Sequence, residues 1–237
     1  MPTAADRLLV DKLVLANRIL YRQGVFDGFG HVSARHDQSP GHFLLARNMA
    51  PALVRHEDIL TFDLDGAALD GHGRSVYLER FIHAEIYRVR PDVRAIVHSH
   101  SPSVIPFGVT RQPLRPIFHM CGFLGEGTAL FEIRDTAGDT DMLISNATLG
   151  MALAAALGAR SAVLMRGHGS TVVGASVEQA VYRAIYTEVN ARLQIQATGL
   201  GDVTYLNAQE AVKAAVFNDT QLPRAWELWV RESGPID

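Results

Sequence analysis

The chain has 237 residues and a mass of 25.9 kDa, with 48% hydrophobic and 20% charged residues, a composition that excludes disorder and fibrous repeats. The net charge of -3 supplies no basic surplus for a polyphosphate backbone, which excludes nucleic acid as a main partner. The single cysteine, Cys121, permits neither an internal disulfide nor a cysteine-based zinc site, and no apolar stretch approaches the roughly 20 residues of a membrane span.

At the N-terminus, Asp6, Arg7, Asp11 and Lys12 interrupt the apolar residues, unlike a signal peptide, and a cytoplasmic bacterial-type enzyme is expected. Leu8, Leu9, Leu13, Ala16, Ile19 and Leu20 recur at helical spacing over residues 5–23, with Gly24 as the stop. The alternation in FGHVSARH, then HFLLA (42–46) and ILTFD (59–63), predicts three strands. A helix over 76–90 ends at Pro91, which cannot continue it. VRAIVHSH (93–100) reads as a strand, and residues 115–121 as a further one. MLIS (142–145) leads into a helix over Asn146–Leu157. SAVLMR (161–166) is a strand ending at Gly-His-Gly, and STVVGA pairs back on it. A long helix over 176–197 and two shorter helices near 207–217 and 222–232 complete the chain. No linker or repeat divides it, so one domain over 1–237 is expected, with a helical tail from about residue 200. Interspersed strands and helices, with hairpin and crossover connections, predict an α/β fold with a mixed or antiparallel sheet flanked by helices.

Ten histidines carry the chemistry. His98 and His100 are two apart at a strand end, so they share one face and can converge on one ion, or simply close the strand as polar residues. His168, in RGHGS, follows an apolar strand, and the flanking glycines leave room for close approach. Three neutral imidazoles from two strand ends form a facial set for a divalent ion with open positions, about 2 Å from each nitrogen. Glu79 precedes the residues FIHAEIY and shares a helix face with His83. It can serve as fourth ligand, as an acid or base beside the ion, or as a solvated partner of Arg80. His83 is expected to orient a ligand or to pack.

GHVSAR (30–35), LERFIHAEIY (78–87), VHSH (97–100) and RGHG (166–169), in this order over roughly residues 8–200, resemble the class II aldolase/adducin family. The resemblance implies a three-layer fold with a mostly antiparallel, about nine-stranded sheet between helices. It also implies a homotetramer with active sites at subunit interfaces. His98, His100 and His168 map to the family's divalent-metal ligands (zinc, manganese, cobalt or iron), and Glu79 to its ligand or proton carrier. The family's adducin branch keeps the fold without the chemistry, but here every ligand position is filled, which favours an enzyme.

The departures bear on substrate. Sugar-phosphate aldolases of the family carry Gly-Asn where this chain has Gly30-His31. Their Thr-Pro-x-Gly phosphate segment is replaced by LLARNMAP, which contains Arg47, and the paired serines before the glutamate are absent. Arg47, Arg80 and His31 are cationic or planar, and guanidinium groups bind carboxylates in a two-point fork. These segments resemble the family's non-oxidative decarboxylases of hydroxylated aromatic or related ring-cleavage acids. That branch includes the 3-hydroxy-2-methylpyridine-4,5-dicarboxylate and 3,4-dihydroxyphthalate decarboxylases. The resemblance implies a carboxy-lyase in which a divalent ion stabilises an enolate. Glu79 is then the proton donor, Arg47 and Arg80 orient carboxylates, and His31 and Ser33 bond a ring substituent. The alternative is an aldolase acting on a hydroxy-ketone or sugar-type substrate. His119 is expected in a neighbouring subunit's pocket or in packing. His36, His42, His56 and His72 are read as surface residues, and Trp226 and Trp229 as packing the tail.

Overall fold

The computed structural model describes residues 5–234. Asp6 caps the first helix, α1 (Arg7–Arg22), by accepting from the Leu8 N–H. Seven strands then form one sheet: β1 (His31–Arg35), β2 (His42–Ala46), β3 (Ile59–Asp63), β4 (Ala95–Ser99), β5 (Ala129–Phe131), β6 (Ala162–Met165) and β7 (Gly169–Gly174). Their order is β3-β2-β1-β4-β7-β6-β5. Every neighbouring pair is antiparallel except β5–β6, which is parallel. The sheet is therefore mixed and has seven strands among the described residues, which corrects the expected nine.

The alternation of side chains decides what each face meets. Val32 and Ala34 of β1 and Ala95 and Val97 of β4 face α1 and α6 (Val177–Leu200), packing with Leu13, Ile19 and Val181. On the opposite face, Phe43, Ile96 and Val163 pack with Ile82 and Ile86 of α2 (Arg80–Val89) and with Leu149 and Leu153 of α5 (Ala147–Leu157). His31, Ser33 and His98 lie on the strand positions between those that face α1 and α6, so they share the sheet face that carries α2 and α5. Three short helices complete this frame: α3 (Ile105–Val109), α4 (Arg134–Ala137) and, after α6, α7 (Ala208–Asp219). The last helix, α8 (Leu222–Ser233), sets Trp229 into the α1–α6 core and leaves Trp226 partly buried against it.

Residues 115–121 are not a strand. Pro113 and Pro116 lack the N–H groups a ladder needs, and amide side chains of α6 satisfy this backbone instead. Arg115 N–H and Ile117 N–H donate to Gln194 Oε1 and Asn190 Oδ1, and the Asn190 amide donates back to the Arg115 carbonyl. The chain then tightens into a 3-10 turn, His119–Leu124. The predicted helix over 76–90 begins at Arg80, with Glu79 at its cap position.

Candidate metal centre

The fold brings Glu79, His98, His100 and His168 together, with one ligand atom from each lying within 4.8 Å of the others. Strand β4 carries fully buried His98 opposite Thr171 of β7, and His100 follows just beyond the strand end. The β6–β7 hairpin turns through Gly167, whose φ of +65° suits glycine, and places His168 at its tip. Gly169 pairs so closely with the end of β4 that a Cβ there would lie 2.0 Å from the Ser99 carbonyl oxygen. The bare backbone is what lets the two strand ends converge.

Hydrogen bonds aim these groups. His168 Nδ1 lies 3.0 Å from the Met142 carbonyl, which can only accept, so Nδ1 carries a proton and Nε2 is the nitrogen turned to the cluster. That Nε2 lies 3.0 Å from His100 Nε2 and 3.5 Å from Glu79 Oε2. His98 Nε2 is also 3.5 Å from Glu79 Oε2, but it is buried and makes no hydrogen bond among the described residues. The Ile144 N–H donates to Glu79 Oε1 at 3.0 Å and leaves Oε2 turned to the imidazoles.

The arrangement fits a divalent ion. Two nitrogens each about 2 Å from one ion sit roughly 3 Å apart, close to the His100–His168 separation. The orphaned His98 nitrogen is the lone pair such an ion would take, since a buried polar atom without a partner is costly. Burial alone would raise the Glu79 carboxyl, but His98 and His168 facing it outweigh burial and hold it well below the ordinary carboxylate range. Burial lowers His98. Burial, with His98 and His168 as like charges, lowers His100 to about 4. Burial opposes protonation of His168, yet its bond to Glu79 holds it above the ordinary value. A ligand imidazole must be neutral, and burial secures that for two of the three.

Behind the cluster runs a buried chain of polar groups. The His31 ring lies 5.0 Å from His98 and 4.7 Å from Tyr77, centroid to centroid. Its Nδ1 is 2.7 Å from His83 Nε2, His83 Nδ1 is 2.6 Å from Ser33 Oγ, and Ser33 Oγ is 2.8 Å from the Tyr87 hydroxyl. His83 thus binds Ser33 and His31, outside the four-residue cluster. Burial lowers it to about 3 and lowers His31 well below the ordinary imidazole value. Ser33 is fully buried and committed to this chain.

The two arginines are engaged elsewhere. Arg47 pairs with Asp58 at 2.6 Å and lines a cleft with Arg18, Met49 and Arg55 that none of the four cluster residues lines. Arg80 donates to the Gly66 and Tyr77 carbonyls and stacks on Phe81. His119 is exposed, and its carbonyl accepts from Asn218. His36 is not a surface residue. It is fully buried, and its Nδ1 accepts from the N–H groups of Gln38 and Ser39, which caps the β1–β2 turn. His42 is partly buried beside it, His56 pairs with Asp11, and His72 is exposed. Sequence reasoning missed Phe29, 69% exposed with its ring 6.3 Å from that of His100; only its place in DGFGH before β1 signalled it. It also missed the backbone groups of Met142 and Ile144, which no side-chain pattern marks.

Three imidazoles and a carboxylate converging at the ends of the central strands of an α/β sheet define a candidate divalent-metal centre of the kind that serves carbon–carbon lyases. Residues 11–195 match the Class II Aldolase and Adducin N-terminal domain, and the chain belongs to this family. It is 37% identical over 238 residues to decarboxylase tropJ of Talaromyces stipitatus, covering 90% of each chain. It is 36% identical over 201 residues to 3,4-dihydroxyphthalate decarboxylase of Arthrobacter keyseri, covering 81% of this chain and 79% of that one. Among solved structures, L-fuculose 1-phosphate aldolase from Glaciozyma antarctica superposes with a TM-score of 0.79 at 25% identity, covering 99% of this chain and 95% of that one. Family and relatives together make this chain an enzyme, a carbon–carbon lyase. Among the described residues no helix is long and apolar enough to cross a membrane.

Proposed function

We propose that the chain is a divalent-metal-dependent, non-oxidative decarboxylase of a hydroxylated aromatic or ring-cleavage carboxylic acid. The observation that carries this reading is the convergence of Glu79, His98, His100 and His168, with His98 Nε2 buried and making no hydrogen bond among the described residues. The relatives named decarboxylases support it. His98, His100 and His168 would hold the ion, with Glu79 on it or beside it. When bound, the ion supplies a sink at oxygen for the electrons of a broken carbon–carbon bond.

The chain's own groups handle protons and position. Glu79 is ionised and fixed at Oε1 by the Ile144 N–H, so Oε2 is the atom that accepts and returns a proton. It takes the proton of the substrate hydroxyl and delivers it to the ring carbon that bears the carboxylate. The ring becomes a ketone β to that carboxylate. The carbon–carboxylate bond then breaks, its electrons pass to the ketone oxygen, carbon dioxide leaves and one solvent proton restores the hydroxyl. His31 bonds a substrate oxygen, and the exposed Phe29 ring beside His100 offers a face to an aromatic ring. Arg47 and Arg80, held by Asp58 and by backbone carbonyls, would have to release those partners to reach a carboxylate. Ser33 supports His31 from behind and does not touch substrate.

The active unit is read as a homotetramer with the site at a subunit interface, and exposed His119 is a candidate contribution from a neighbour. The test is to mix the purified protein and manganese, cobalt or zinc with dihydroxyphthalates, pyridine dicarboxylates and hydroxy-ketones. Release of carbon dioxide from an aromatic acid, lost on chelation, is the expected result. Aldehyde release alone would favour the aldolase reading, and full turnover after exhaustive metal removal would eliminate both.

A further inference from the structure

We propose that the buried chain Tyr87–Ser33–His83 fixes the tautomer of His31, so that His31 is a neutral ring presenting an Nε2–H donor to the site. His31 then selects substrates with an anionic oxygen at that position and does not serve as acid or base. The inference deepens the decarboxylase reading and rests on it only for the identity of that oxygen, a substrate carboxylate.

The direction of the chain follows from its closed end. The Tyr87 hydroxyl is buried, and among the described residues its one hydrogen-bond partner is Ser33 Oγ. A buried O–H without an acceptor is costly, so Tyr87 donates to Ser33. Ser33 has one hydrogen, already faces the Tyr87 hydrogen, and gives its own to His83 Nδ1. His83 must then carry its proton on Nε2, which donates to His31 Nδ1. An accepting Nδ1 leaves the His31 proton on Nε2. The reverse polarity would strand the Tyr87 hydrogen against the core, where the Tyr87 ring lies between Phe43 and the Arg35 guanidinium. The Nε2 edge of His31 is the one away from His83. His31 itself sits opposite His98 in the β1–β4 register. An apolar core would fill the same space without four polar groups, each of which needs a partner. Tyr87, Ser33 and His83 are therefore positioning residues that act through His31.

The test uses the full chain loaded with zinc, labelled with 15N-histidine and read by long-range 1H–15N correlation at neutral pH. The His31 and His83 rings are assigned by the loss of their signals in His31→Gln and His83→Gln. Both rings are expected to carry the proton on Nε2, with Nδ1 bare. Tyr87→Phe removes one oxygen and frees Ser33 to turn. The His31 signal should then become a mixture of tautomers, and affinity for phthalate, a dicarboxylate lacking the hydroxyl, should fall about tenfold at unchanged zinc stoichiometry. A wild-type His31 protonated on Nδ1 would overturn the proposal, and the tautomer itself is read on the unaltered relay, the variants serving only to assign signals. So would a Tyr87→Phe protein with unchanged tautomer and phthalate affinity. If the tautomers are as stated but no aromatic acid loses carbon dioxide, the relay stands and the decarboxylase reading fails.

Discussion

Replacing Gly169 by alanine tests how the candidate metal centre is assembled. A methyl at this position would lie 2.0 Å from the Ser99 carbonyl oxygen and 3.1 Å from the His100 Cα, where ordinary contact begins near 3.4 Å. Both obstacles are backbone, so neither can rotate away, and the ends of β4 and β7 must part by roughly 1.4 Å. His98 and His100 ride on one of these segments and His168 on the other. Metal–ligand distances tolerate only about 0.2 Å. The separation should therefore cost at least the 10–100-fold in metal affinity that loss of a supporting contact usually costs. The rest of the sheet is untouched, so unfolding free energy should fall by only about 1–3 kcal/mol. Metal affinity is read by competition with a chromophoric chelator, and stability by urea unfolding of the metal-free protein. A Gly169→Ala protein that binds metal as tightly as the wild type would refute the close approach as the device that gathers the ligands.

Glu79→Gln keeps the acceptor for the Ile144 N–H but cannot carry a proton. Turnover at saturating metal should fall by about 10²–10⁴ with the far-ultraviolet circular dichroism unchanged. An ion bound by the native fold and not by the unfolded chain should add about 2.7 kcal/mol to stability at a hundredfold excess over its dissociation constant. Thermal melts with and without chelator measure this, and His98→Ala should abolish the increment. The metal-free protein should lose stability in acid. The fully buried His83 is lowered to about 3, so the unfolded chain binds a proton below about 6.5 that the native state refuses. Stability falls as pH drops from about 6.5 towards 3, by roughly 4 kcal/mol from this group, and His83→Gln should flatten that part of the curve in urea titrations.

The histidines of the candidate metal cluster stand out in the sequence because their spacing is local. His98-Ser99-His100 ends an alternating strand, and Gly167-His168-Gly169 marks a hairpin tip, so each motif states its own geometry. What joins them, the β4–β7 pairing, is beyond local spacing; the resemblance implied only that the three histidines share an ion. Long-range partners were not legible, and they decide where other residues sit. Residues 115–121 are apolar enough for a strand, but two prolines and the amide side chains of Asn190 and Gln194 lead the backbone elsewhere. His36 sits in a polar stretch, yet its ring is buried as an acceptor for two turn N–H groups. Arg47 bonds Asp58 and Arg80 bonds the Gly66 carbonyl, partners that no local pattern announces. Ser33 alternates onto the same face as His31, and its bond to His83, 50 residues further along, is likewise outside any local pattern. The strand count came from the resemblance alone, and seven strands form among the described residues instead of nine.

X-ray absorption spectroscopy of the cobalt- or zinc-loaded protein bears most directly on the shared ion. The expected spectrum has three imidazole nitrogens at about 2.0–2.1 Å with an added oxygen shell, and the imidazole signal shrinks in His98→Ala, His100→Ala and His168→Ala alike. An ion surrounded by oxygen alone, or a spectrum that none of these substitutions alters, would contradict a centre built from the three histidines.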